Sequence, residues 1–162
     1  MRNGTQCTKQ INIVMGLDMY LNTEIFMWNE EGDKIKQAIA EINPFGLGNC
    51  DLMKIQFQLG YWRKANAIHN WFVENIQEGK DDCQRHYVTT EQLQVLKEEC
   101  EKVLAKPSLG KKRLPTKKGF FFGDTEYDEY YLNDLRDTIN IINKVLNNPD
   151  HKKFLIYYQS SW

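Results

Sequence analysis

Proline is scarce in this chain of 162 residues, and so is cysteine: there are four of each, with only three histidines. The cysteines, at 7, 50, 83 and 100, include no CxxC pair and have no histidine nearby in a ligand pattern. A zinc site is therefore not expected, and no metal or other cofactor is read from the chain. Net charge is scarce too, at −1. Proteins dedicated to duplex nucleic acid carry a strong basic excess, so a duplex is not an expected partner, whereas a pocket for a small anion needs only a few local cations. Long apolar runs are missing: nothing approaches the roughly 18 residues of a membrane-spanning helix, so no membrane partner is expected. The opening MRNGTQCTKQINIV lacks the apolar core of a secretory signal, which with irregular cysteines points to reduced thiols in a cytosolic setting.

What is present is the composition of a globular protein, 41% hydrophobic and 27% charged, at a length that suits one domain. Residues 1–14 are polar and unpatterned; they read as a disordered or extra segment ahead of Met15, with 15–162 as a single α+β domain. Leu17, Met19 and Leu21 alternate and predict a strand. NEEGDK (29–34) reads as a turn, 34–42 as a second hairpin strand or a short helix, and 43–50 as a loop punctuated by Pro44, Gly46 and Gly48. DLMKIQFQL alternates again and predicts a strand that Gly60 ends. A helix is then expected at once, with Ala65, Ile68, Phe72 and Ile76 on its apolar stripe and Gly79 closing it. EGKDDCQRHYV reads as a loop. Thr89 and Gln92 form a capping-box pattern ahead of a helix striped by Leu93, Leu96, Cys100, Val103 and Leu104, which Pro107 and Gly110 stop. KPSLGKKRLPTKKG reads as a basic connector. A last helix is expected over about 126–147, capped by Asp124 or Thr125, before a final strand in FLIYYQSSW. Strands and helices are segregated, so the expected fold is a small, mainly antiparallel sheet with about three helices packed on it.

YWRKANAIHNWF (61–72) sets two cations, an asparagine and a histidine among aromatic rings. With a helix starting after Gly60, Arg63 and Lys64 fall in its first turn, where they oppose the helix dipole; a phosphate or an acidic side chain would relieve that conflict. The alternative is that both are solvated and that His69 is a half-buried histidine holding a backbone carbonyl. GFFFG (119–123), read as a strand, points Phe120 and Phe122 to one side and Phe121 to the other. One face could enter the core while the other lines a pocket, and a ring face can stack a nucleobase. Glu126, Asp128 and Glu129, like Asp81 and Asp82, could do acid–base work or hold magnesium, but helix capping and pairing with Arg63, Lys64 or Arg85 explain them equally well. Ser160 and Ser161 lack a nucleophile-elbow context.

GLDMYL (16–21), GYWRKANAIHNWFV (60–73), DDC (81–83) with YV (87–88), LPT (114–116), GFFFGDTEYDE (119–129) and YYQSSW (157–162) together resemble a family of small bacteriophage proteins, over about residues 15–162. Members of that family tend to begin at a methionine corresponding to Met15. Some carry a phosphoglycerate kinase label, but this chain is far too short for that two-domain enzyme and has no matching phosphate-binding segment. The resemblance implies a phage origin and the cytoplasm of an infected host. By analogy with other small phage proteins, it also implies an accessory role against host defence, such as sequestering a signalling nucleotide.

The expectation is thus a binding module for a nucleotide-derived small molecule. Arg63, Lys64 and the amides of 62–64 would hold phosphate, and Asn66 and His69 would read polar edges. Trp62 with Phe120 or Phe122 would stack a base, and Tyr127 and Asp128 would contact base or ribose. If the protein were instead a phosphodiesterase or hydrolase, His69 would be the acid or base, oriented by Asp82 or Asp128. A third reading is a module docking on a host protein through Tyr127, Tyr130 and Tyr131. A second copy is a further candidate partner, through a pocket between subunits or the edge of a short sheet.

Overall fold

A computed structural model describes residues 16–26, 35, 53–151 and 154–162. The expectations for residues 1–15, the 29–34 turn, the 34–42 segment apart from Ile35, and the 43–50 loop lie outside the described residues. Among the described residues four strands form one antiparallel sheet: β1 (Asp18–Phe26), β2 (Lys54–Arg63), β3 (His86–Val88) and β4 (Leu155–Ser161), in the order β2-β1-β4-β3. The helices are α1 (Asn66–Asn75), α2 (Thr90–Ala105), a one-turn α3 (Gly110–Arg113) preceded by a 3₁₀ turn at Pro107–Leu109, and α4 (Glu129–Leu146). This is a small α+β fold. Among the described residues no helix is long and apolar enough to cross a membrane.

The period-two stretch at the start of β1 behaves as its spacing dictates, with Leu17, Met19 and Leu21 fully buried. They share one core with Trp62 of β2, Ile156 and Tyr158 of β4, and the apolar stripes of the helices: Ile68 and Phe72 of α1, Leu93, Leu96, Cys100 and Val103 of α2, Leu135 and Ile142 of α4. The capping box forms: Thr89 Oγ1 accepts from Gln92 N at 3.1 Å, and the Gln92 side chain accepts from Thr89 N at 2.8 Å. Gly79 takes a φ of 77° past the end of α1 and donates to Val73 O at 2.9 Å, close to the closing role read for it.

Six expectations are corrected. Gly60 does not end β2. Pairing with β1 continues through Tyr61 and Trp62 to Arg63 opposite Asp18, with Leu59 left over as a bulge. Gly60 is instead a close-approach position, because a Cβ there would lie 2.4 Å from Ile141 Cγ2 of α4. The helix accordingly starts at Asn66, not at the two cations. His86–Val88, read as loop, pairs with β4 as an edge strand. Residues 107–113, read as a basic connector, form two short turns of helix, and Arg113 is tied to Glu99 of α2 at 2.8 Å. GFFFG is a turn rather than a strand, with Phe122 N donating to Gly119 O at 3.2 Å. The N-cap of α4 is Asp128, whose Oδ1 accepts from the amides of Tyr130 and Tyr131 at 3.0 and 3.1 Å. Neither Asp124 nor Thr125, the two candidates read for the cap, holds that place; Asp124 closes a local turn by accepting from Glu126 N.

Candidate functional site

The passage from β2 into α1 is sharply bent. Lys64 sits at a φ of 60°, uncommon for a residue with a side chain. Ala65 follows at φ −74° and ψ 68°, an inverse γ-turn in which Asn66 N donates to Lys64 O at 2.8 Å. This bend replaces the helical first turn expected at Arg63 and Lys64, so neither cation opposes a helix dipole. Both side chains converge over Gly16: a Cβ there would lie 3.1 Å from Arg63 Nη2 and 3.3 Å from Lys64 Cε. Arg63 is braced by Asp18, its cross-strand neighbour, at 2.7 Å, and the Tyr61 hydroxyl donates to the same carboxylate oxygen.

These cations form one wall of a cleft of about 370 Å³, within the range of about 300–1,000 Å³ usual for ligand sites. The cleft is also lined by Asp124, Glu126 and Asp128, and by Tyr130, Tyr131, Asn133 and Asp134 of α4. Tyr130 is 81% exposed, whereas Tyr131 is buried with its hydroxyl donating to Leu114 O. Burial pushes the half-buried Asp134 carboxyl up to about 6, and the nearby charges of Asp137 and Asp128 push in the same direction.

Asn66 shapes this cleft more than it offers itself to a guest. Its Nδ2 donates to Phe122 O at 3.0 Å and Asp124 O at 2.6 Å, and its Oδ1 accepts from Lys117 N at 3.2 Å. One buried side chain thereby pins both stems of the 117–124 loop to the start of α1.

The other expected residues are scattered. Trp62 is buried, its Nε1–H donating to Thr138 Oγ1 at 2.9 Å. Phe122 is also in the core, its ring edge-on to His69 at 5.0 Å, while Phe120 is 95% exposed, so the two do not share a pocket face. Tyr127 packs on Tyr131, and its hydroxyl accepts from Thr116 N. His69 is fully buried, with Nδ1 2.7 Å from Tyr158 OH and Nε2 2.9 Å from Asp81 Oδ2. With the Asp81 carboxylate as acceptor, the network assigns the ring proton to Nε2 and leaves Nδ1 to accept from tyrosine. Burial lowers the pKa of His69 despite the opposing pull of Asp81. The partner orienting His69 is thus Asp81, not Asp82 or Asp128: Asp82 pairs with His86 at 3.0 Å, and Asp128 caps α4. Trp162 Nε1 donates to the other oxygen of Asp81 at 3.1 Å and completes a chain from tryptophan to tyrosine.

Of the nine expected binding residues, Arg63, Lys64, Asn66 and Asp128 therefore line one cleft, while Trp62, His69, Phe120, Phe122 and Tyr127 are not among its lining residues. Sequence reasoning missed Tyr130 and Asp134 as parts of that cleft. Their spacing, one helical turn apart, is visible in the helix expected over about 126–147, but nothing in the sequence marks that face as lining a cleft. Among the described residues no group of three or more His, Cys, Asp or Glu side chains is arranged to hold a metal. No family model matches this chain, and neither does any curated protein or solved structure compared with it.

Proposed function

We propose that this is a phage accessory protein that binds a nucleotide-derived small molecule in the cleft lined by Arg63, Lys64 and the start of α4, and withholds it from a host defence system. The observation that carries the reading is the convergence of Arg63 and Lys64 over Gly16. These two cations outnumber the one Asp18 carboxylate that braces Arg63, which favours a further anion beside them, and phosphate is the anion that nucleotides supply. The carboxylates that line the cleft accept hydrogen bonds, as the hydroxyls and amino groups of a nucleoside require, and the exposed Tyr130 offers a ring face. Phage origin and the setting in an infected cell rest on the resemblance of the sequence motifs.

Sequestration is favoured over cleavage by the placement of His69. It has both nitrogens engaged, is closed to solvent, and does not line the cleft, whereas general acid–base catalysis needs a group within reach of the substrate. Calorimetry of the protein at micromolar concentration against cyclic dinucleotides and cyclic ADP-ribose isomers tests the proposal. Binding of at least one, weakened tenfold or more by Lys64→Ala, is the expected result, and the ligand should be recovered intact after denaturation. An absence of heat with every member rules out this ligand class, and recovery of a cleaved product replaces the sponge with an enzyme.

A further inference from the structure

Within that nucleotide-binding reading, on which it rests, we infer that the cleft selects a guanine-type base, stacked on Tyr130 with its paired N–H donors turned to Asp134. Tyr130 and Asp134 are four residues apart on α4 and so lie one above the other on the same helix face. Both line the cleft. The Tyr130 ring is 81% exposed and can take a flat guest, and a base lying on it presents its edge one turn further along, where the Asp134 carboxylate stands.

The groups around that carboxylate define what it wants. Asp128 and Asp137 lie close enough on the same element to raise its proton affinity, and no cation is among the causes acting on it. Asp124 and Glu126 add further negative charge to the cleft, and Arg63 and Lys64 line it as the cationic wall. A half-buried carboxylate in such a field is satisfied by hydrogen-bond donors. One carboxylate with two oxygens matches two parallel N–H groups, the geometry that makes bidentate pairs strong and directional. Among the common bases guanine presents that pair on one edge, with its ring N–H beside its amino group. Hypoxanthine lacks the amino group, and adenine sets an acceptor beside its own.

The test is calorimetry with 5′-GMP, IMP, AMP and guanosine at pH 7.5. GMP should bind about tenfold more tightly than IMP or AMP, the factor expected when a hydrogen bond to a charged group is lost. Guanosine, lacking the phosphate, should bind more weakly than GMP. Asp134→Asn keeps the side chain's shape but exchanges one acceptor oxygen for a donor, so it should abolish the preference for GMP over AMP; Tyr130→Ala should weaken all three nucleotides. Phosphate-dependent binding without a preference for GMP overturns this inference and leaves the proposed function standing. No binding of any nucleotide here or in the cyclic panel overturns both.

Discussion

At the scale of single residues, the most informative is Lys64. A side-chain-bearing residue at positive φ costs on the order of 1 kcal/mol or more and persists where the surroundings impose it. Here the imposing contacts are visible: Lys64 N donates to Leu17 O, and Gly123, itself at φ 85°, lies against the Lys64 side chain. Lys64→Gly should therefore raise stability by about 0.5–1 kcal/mol in urea denaturation, while the proposed ligand is lost. A drop in stability instead would mean that the bend is not strained. Asp134 makes a second trade of this kind. Its carboxyl is held above the usual range by burial, so Asp134→Asn should stabilise the fold by about 1 kcal/mol at pH 7.5, after allowance for partial exposure. The gain should disappear near pH 4, where the native side chain is itself protonated. These positions also show where a sequence becomes illegible. The cations at 63 and 64 stand out in the string, but their meeting over Gly16 depends on a backbone bend between strand and helix that no periodicity announces.

At the scale of elements, Gly60 and Asn66 settle how β2 hands over to α1. Gly60 looks like a strand terminator when read alone, because glycine breaks regular patterns; its actual reason is the Ile141 side chain pressed against its backbone. Gly60→Ala should cost about 1–3 kcal/mol, since α4 would have to shift from the sheet. A thermal midpoint unchanged within a degree would show that Ile141 simply rotates away. Asn66→Ala should destabilise by a similar amount through orphaned carbonyls and the Lys117 amide, and hydrogen exchange at Lys117 should quicken more than exchange in α2. The helices striped by Leu93, Leu96, Leu135 and Ile142 were plain in the sequence because a 3.6-residue repeat encodes a buried face directly. The three-residue strand at His86–Val88 was not, because it is too short to show any period and exists only through its pairing with β4. GFFFG misled for a related reason: a run of identical residues carries no alternation, and the turn places Phe120 in solvent and Phe122 in the core.

At the scale of the whole molecule, buried His69 and half-buried Asp134 make opposite demands on pH. His69 is held neutral, with a folded pKa below its ordinary value. The unfolded chain takes up a proton near pH 6.5 before the folded one does, so this group withdraws stability as pH falls through about 6.5 and below. Asp134 does the reverse. Its folded pKa of about 6 lies above the ordinary aspartate value of 3.8, so the fold gains as pH falls from about 6 towards 4. The native protein should therefore lose little stability between pH 7 and 5, and Asp134→Asn should lose it more steeply over the same interval. Equal slopes for the two in denaturant titrations would remove Asp134 from the account. The α+β class and the antiparallel sheet could be read from the segregation of strand and helix patterns. The order of strands could not, because it depends on pairings between segments that are far apart in the chain.

That order has a kinetic consequence. β4 fills the gap between β1 and β3, and its bonds to β1 span separations such as the 132 residues between Thr23 and Leu155. Closing so long a loop is entropically expensive and comes late, which slows folding. Until residues 155–161 arrive, β1 has a bare flank and His69 lacks its tyrosine, so the molecule's assembly waits on the strand that comes last in the sequence.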